Sequence, residues 1–236
     1  VAGGPEHVPG TTVDRQCGSA QQAVHFAAQA VMAGVNDLVV AGGVQQMSQI
    51  PISSAMTLAT DLGFPDPFTT SPGWVARYGP DEVSQFTGAE AIAEKWDLSR
   101  DDMEAFAVQS HERALQAQAA GRFEAEIAPF NGLDRDEGPR EPNWEKIRSL
   151  KTLVEGGRIT AAVASQISDA SASLLIASEQ AVKDHGLTPR ARIHHMSVRG
   201  DDPIMMLTAP IPATRHALQK TGMTMADIDA VEINEA

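Results

Sequence analysis

Cys17 is the only cysteine in 236 residues, and it stands between Gln16 and Gly18 at the head of an apolar-periodic stretch. A helix N-terminus presents unpaired N–H groups and the positive end of the macrodipole, and both favour thiolate over thiol. Gly18, Ser19 and Ala20 are small enough to let a bulky substrate approach the sulfur. The backbone N–H of Cys17 is placed to donate to an oxyanion on an attacked carbonyl. The chemistry that fits is nucleophilic attack by a thiolate. A buried structural cysteine also fits the residue type, and the residues alone leave both readings open.

The elements that must position this thiol come next. Ala20, Ala23, Val24, Ala27, Ala30 and Val31 recur at three- and four-residue spacing, which predicts a helix over 18–33 with Gly34 at C′. Residues 38–41, Leu-Val-Val-Ala, form an apolar run closed by Gly42-Gly43 and predict a buried parallel strand after a crossover helix. Prolines at 51, 65, 67, 72 and 80 break the next segment, and helices are predicted near 83–96 and 100–120. Met103, Phe106, Ala107, Ser110, Ala114 and Ala117 share one face of the second, and Gly121 closes it. A polar loop is predicted at 131–145, a core strand at 170–177 and a helix from Pro212 to Gly222. Thr224 and Asp227 form a short capping box before an alternating strand, Asp229 to Ile233.

Lys plus Arg number 18 against 31 Asp plus Glu, a net charge of −13, which argues against duplex DNA or an anionic membrane as partner. No apolar run approaches the roughly 20 residues of a membrane span. One cysteine excludes an internal disulfide framework and a multi-cysteine zinc site. A reducing compartment, most simply the cytoplasm, is expected. Residues 1–10 lack Met, a cationic region and an apolar core, so they are not a signal peptide, and the chain is expected to be an internal piece of a longer protein.

Several strings then fall in one order. Val13-Asp14-Arg15-Gln16-Cys17-Gly18-Ser19-Ala20-Gln21-Gln22-Ala23 resembles the nucleophile segment of the thiolases, and Gly42-Gly43-Val44-Gln45-Gln46-Met47-Ser48 is similar to the GGxExMS strand-end motif of that family. Leu98-Ser99-Arg100-Asp101, Gly121-Arg122-Phe123, Glu126-Ile127-Ala128-Pro129 and Thr160-Ala161 with Ala164-Ser165 follow. Asp169-Ala170, Ala209-Pro210-Ile211-Pro212-Ala213 and a closing Asn234-Glu235-Ala236 complete the series. The resemblance implies a partial layered α/β/α/β/α thiolase-like fold with an inserted loop domain. It divides the chain into 1–47 with the nucleophile, a substrate-binding loop domain at 48–166, a return at 167–189, and the start of a second thiolase domain at 190–236.

Thiolases cleave 3-ketoacyl-CoA with CoA or run the reverse Claisen condensation. The resemblance makes Cys17 the nucleophile that carries the acyl group, and Asn234 the amide that holds the thioester oxygen of an enolate through a water. Ser165 matches the serine that contacts the pantetheine arm, and Arg140 lies in a segment like the one approaching the CoA nucleotide. CoA and acyl-CoA are substrates, so no cofactor and no metal is expected; a homodimer or homotetramer is. His25 is read as a polar group on the helix face, and the His194-His195 pair lacks a third metal ligand.

The sequence also departs from the family pattern. Ser84-Gln85-Phe86 stands where many biosynthetic members carry His-Met-Gly on the substrate loop, which makes Gln85 and Phe86 candidate acyl-chain contacts. Thr160-Ala161-Ala162-Val163-Ala164-Ser165 replaces Thr-Ala-Gly-Asn-Ala-Ser, and Asp169-Ala170-Ser171-Ala172 replaces Asp-Gly-Ala-Ala. Alanine tolerates positive φ poorly, so the backbone at these two places is in question. The GHPxG histidine and the CxGGG acid/base cysteine of the family occur nowhere in these residues, so the chain alone is expected to be inactive. Degradative acyl transfer on long or steroid-derived chains is the leading expectation. A short-chain acetoacetyl-CoA thiolase, a ketoacyl synthase, a non-catalytic CoA- or lipid-binding relative and a purely structural α/β domain are the alternatives.

Overall fold

In a computed structural model, residues 3–235 are described. Ala236, the last letter of the Asn-Glu-Ala ending, lies outside them. The chain divides into two compact units: Val1–Ser54 with Ile167–Met196, and Ala55–Gln166 with Ser197–Ala236.

The first unit is built on helix α1 (Ser19–Met32) and strands β1 (Leu38–Gln45) and β2 (Ala170–Ala177), with a short later helix. A single 3-10 turn, Gln16–Gly18, leads into α1. The helix ends where the sequence says it must. Gly34 sits at φ +71°, its N–H bonds the carbonyl of Val31 and the Val35 N–H bonds that of Ala30, a complete Schellman cap. β1 and β2 pair antiparallel with Leu38 opposite Ala177 and Gln45 opposite Ala170. The expectation of a parallel β1 buried on both faces is therefore corrected. An apolar run shows only that a strand can be buried, and here α1 covers one face while Leu38, Val40, Val44 and Leu175 stay exposed on the other.

Two clips hold the ends of this hairpin-like pair, whose strands are far apart in sequence. At one end Ser178 donates its N–H to the Asp37 carbonyl at 2.8 Å and its hydroxyl to Asp37 Oδ1 at 2.9 Å. At the other, Ser48 donates its N–H to Asp169 Oδ1 at 3.0 Å and its hydroxyl to Oδ2 at 2.5 Å. These bonds, the hydroxyl first, hold the Asp169 carboxyl below its ordinary value. A depressed folded value contributes stability that is present above the unfolded value near 3.9 and lost as pH falls through the folded one. Asp169→Asn is accordingly expected to lower the thermal midpoint at pH 7 and to flatten its dependence on pH below 4.

Between the two visits to this unit the chain forms α2 (Ser54–Thr57), α3 (Pro72–Tyr78), α4 (Gln85–Lys95), α5 (Arg100–Ala119) and α6 (Trp144–Ser149). Helices α7 (Glu179–Asp184) and α8 (Pro210–Thr221) follow β2. Caps fix these boundaries: Ser71, Ser84, Ser99, Asn143 and Ser178 each accept an N–H at the head of their helices. Helix α8 starts at Pro210, two residues before the predicted Pro212, with proline at N1 and Gly222 closing it at φ +72°. The capping box of Thr224 and Asp227 is present. The strand expected at Asp229–Ile233 is not: 228–235 forms no ladder, and Val231 and Ile233 are exposed. Alternation prepares a strand, but a partner edge makes one.

Candidate active site

Cys17 is exposed in the first unit, inside the turn that delivers the chain into α1. Gln16, immediately before it, is held at φ +49°, a left-handed conformation that costs a non-glycine residue about 1 kcal/mol or more. Three short hydrogen bonds hold it there. Asp14 Oδ1 accepts the Gln16 N–H at 2.9 Å; the Ser19 hydroxyl accepts the Arg15 N–H and donates to the Gln16 carbonyl, both at 2.7 Å. The Gly18 N–H closes the turn on the Arg15 carbonyl at 3.1 Å.

Behind this turn lies the reason for two glycines in β1. A Cβ on Gly43 would stand 3.0 Å from the Cβ of Ala20, three residues past the thiol, so Gly43 is the floor on which the head of α1 rests. A Cβ on Gly42 would come 2.1 Å from the Ala172 carbonyl oxygen of β2. His25, about two turns along α1 from Cys17 and read from the sequence as a polar group on the helix face, is buried. Burial, and then the Arg15 guanidinium, lower its imidazole below the ordinary value, so it is neutral at physiological pH.

The other candidates lie in the second unit. There the face of α5 carrying Met103, Phe106, Ala107 and Ser110 lines a cavity of about 590 Å³, closed on the other side by 162–166. Phe106 is 57% exposed, at the cavity wall. Ser165 opens onto this cavity, and so does Glu235, the neighbour of Asn234. Asn234 itself is exposed and outside any helix or strand. The backbone N–H of Arg140 lies 3.4 Å from His111 Nδ1, and its side chain does not line the cavity. Gln85 and Phe86 do not line it either. The segment expected as a substrate loop is a helix start: Ser84 caps α4 in a reciprocal box with Thr87, and Gln85 and Phe86 form its first turn. The structure thus brings Ser165 and the residue beside Asn234 to one cavity, while Arg140, Gln85 and Phe86 lie outside it.

What fixes the cavity wall is a set of charges that sequence spacing does not reveal. Glu90 on α4 accepts the N–H groups of Arg158 (2.7 and 2.9 Å) and Ile159 (2.6 Å). The Arg158 guanidinium returns to the carbonyls of Ala93 and Leu98. On α5, Arg100 pairs with buried Glu104 at 2.7 Å and donates to the carbonyls of Ile147, Arg148 and Leu150. Thr160, fully buried, then turns the chain into 162–166, its hydroxyl accepting the Ala162 N–H at 3.3 Å. A Cβ on Gly157 would lie 2.3 Å from Glu90 Oε1. Gly157→Ala is expected to destabilise the protein by about 1–3 kcal/mol, since it displaces a carboxylate from donors left unpaired; urea unfolding measures it.

Among the described residues, no group of three or more His, Cys, Asp or Glu is arranged to hold a metal ion, and no helix is long and apolar enough to cross a membrane.

Family models describe the thiolase N-terminal domain at residues 1–180 and the thiolase C-terminal domain at 187–236. The chain belongs to the thiolase family. It is 62% identical to a steroid 3-ketoacyl-CoA thiolase of Mycobacterium tuberculosis, covering 100% of this chain and 59% of that protein. It is 38% identical to a 3-oxoadipyl-CoA/3-oxo-5,6-dehydrosuberyl-CoA thiolase of Escherichia coli, covering 100% of this chain and 63% of the relative. A 3-ketoacyl-CoA thiolase of Cronobacter sakazakii matches at 35% over 98% of this chain and 60% of its own length. The chain therefore spans about three fifths of the length of these relatives.

The α/β fold is thiolase-like, and two departures from the family pattern resolve in it. Ala162 and Ala170 are not among the positive-φ residues, so alanine stands in both places without strain. The thiolase motif around Cys17 also contains more than the cysteine. Asp14 and Ser19 were passed over as parts of a string, although serine at a helix head is a recognised backbone acceptor. Glu90 and Arg158 carried no local signal, because the hydrogen bonds that hold them join residues 60 or more positions apart, and Gly157 is constrained by that same Glu90.

Proposed function

We propose that the full-length protein carrying this chain is a 3-ketoacyl-CoA thiolase of degradative type, with Cys17 as its nucleophile. The observation that carries the reading is the exposed thiol of a thiolase-family chain, set in a strained, hydrogen-bonded turn at the head of α1. In thiolysis the Cys17 thiolate attacks the 3-keto carbon. A C–S bond forms, the bond between C2 and C3 breaks, and its electron pair leaves as the acetyl-CoA enolate, which takes up a proton. The CoA thiol then attacks the acyl thioester, frees the Cys17 sulfur and leaves as the shortened acyl-CoA.

Asn234 holds the enolate oxygen through a water as a fixed dipole. Ser165 meets the pantetheine arm at the cavity; outside that cavity, Arg140 meets CoA phosphate, and Gln85 and Phe86, in the first turn of α4, contact the acyl chain. The organisation is the nucleophile segment at 1–47, the loop domain at 48–166, the return at 167–189 and the second thiolase domain from 190. The protein works in the cytoplasm as a homodimer or homotetramer and uses neither cofactor nor metal. The similarity to a steroid 3-ketoacyl-CoA thiolase supports a bulky, steroid-derived acyl group.

Thiolysis by the full-length protein across C4, C8, C12 and a steroid side-chain 3-ketoacyl-CoA tests this. Each buried methylene contributes about 0.8 kcal/mol, so four additional ones favour a longer chain by up to ~3 kcal/mol, or roughly 200-fold in kcat/KM. The rank expected places C4 last. C4 as the fastest substrate contradicts the degradative reading and returns the protein to short-chain acetoacetyl-CoA chemistry.

A further inference from the structure

We infer that Ser19 is a positioning residue for the nucleophile, and that its hydroxyl, with Asp14, holds the turn that aims Cys17 at the substrate carbonyl. The inference rests on the assignment of Cys17 as nucleophile, and it concerns how the chain before the thiol is kept in place.

The turn has an uncommon requirement. Gln16 adopts φ +49°, which glycine accepts readily and glutamine does not. The peptide between Gln16 and Cys17 follows directly from that angle, so the direction of the Cys17 N–H and thiol depends on its being maintained. Ser19 satisfies the turn from inside it. Its single hydroxyl proton goes to the Gln16 carbonyl at 2.7 Å, and a lone pair takes the Arg15 N–H at 2.7 Å. Asp14 takes the remaining N–H, that of Gln16, at 2.9 Å. The Gln16 carbonyl also accepts the backbone N–H of Ser19. The peptide groups on the N-terminal side of Cys17 are thereby tied to two side chains. Ser19 is half-buried at the first position of α1, a helix seated on Gly43 through Ala20, so the staple is anchored to the sheet.

Two reactions of the same sulfur separate positioning from bulk structure. Acylation by acyl-CoA passes through an oxyanion and depends on the direction of the Cys17 N–H; alkylation by iodoacetamide requires only an accessible thiolate. In the full-length protein, Ser19→Ala is expected to slow single-turnover acylation of Cys17 by about 100-fold, the low end of the roughly 10²–10³-fold cost of losing an oxyanion donor. The alkylation rate stays within about threefold, and the KM for acyl-CoA changes little. Ser19→Thr, which keeps the hydroxyl, restores acylation; Ser19→Val, the same shape without it, does not. Placing Gln16→Gly in the Ser19→Ala background recovers part of the rate, because glycine holds the positive φ unaided.

Acylation in Ser19→Val within threefold of Ser19→Thr overturns the inference. So does a parallel fall of acylation and alkylation in every Ser19 variant that retains the wild-type circular dichroism. If the unmodified protein takes no acyl group on Cys17 at all, it is the thiolase reading that fails, and that result is visible before any variant is made.

Discussion

Cys17→Ser in the full-length protein is expected to reduce thiolysis by at least about 10³-fold while leaving the fold in place. An alcohol stays almost wholly protonated near neutral pH, and the positive end of a helix cannot make up that difference. Serine is close to cysteine in size, and the side chain at 17 is exposed, so packing does not change. The hydrogen bonds that shape the turn come from Asp14 and Ser19 and involve no atom of the sulfur. Thermal unfolding within about 0.5 kcal/mol of wild type is the companion measurement. Retention of wild-type kcat removes Cys17 from the mechanism.

Gly42→Ala is expected to be the most damaging conservative change in the first unit. The added methyl would meet the Ala172 carbonyl oxygen at 2.1 Å and the Ser173 Cα at 2.9 Å, both backbone atoms of β2. Nothing flexible can yield, so the two strands must separate at that rung, at a cost of about 3 kcal/mol or more. Gly43→Ala is milder. Its methyl meets only the Ala20 Cβ, at 3.0 Å, and α1 can yield by a few tenths of an ångström, at a cost of about 1 kcal/mol. That small movement reaches the turn carrying Cys17, so Gly43→Ala should lower kcat more than stability. Gly73, with open space around its Cα and a place near the head of α3, is the control: Gly73→Ala should be neutral or stabilising by up to about 1 kcal/mol. Urea unfolding of the three variants orders them.

Helices and their ends were the most legible part of this chain. Apolar spacing placed α1, α4 and α5, and glycines at 34, 121 and 222 closed three helices in the left-handed conformation that only glycine takes cheaply. Strand partners were not legible. Leu38–Ala41 reads as a strand, but antiparallel pairing with a segment some 130 residues away follows from long-range contacts that no local pattern encodes. Asp229–Ile233 shows the converse, an alternating segment that forms no ladder.

The candidate cysteine stands out in the sequence, and the groups that hold its turn do not. A lone cysteine followed by small residues stands out by type, whereas the roles of Ser19 and Asp14 depend on a positive φ at Gln16, which glutamine does not announce. Ser84-Gln85-Phe86 opens the helix that the sequence predicts near 83–96, and Ser84 followed three residues later by Thr87 supplied both partners of its cap. Ser165 reached its cavity by way of Thr160, Glu90 and Arg158, and that path is tertiary throughout.

The most direct test of Cys17 as an acyl-carrying nucleophile is mass spectrometry of the full-length protein after mixing with acetyl-CoA in the absence of free CoA. Proteolysis of the quenched mixture should place a single acetyl group on the peptide containing Cys17, and addition of CoA should remove it as the thioester is cleaved. An unmodified Cys17 peptide in a preparation that turns over 3-ketoacyl-CoA, or an acetyl group on another residue, contradicts the account.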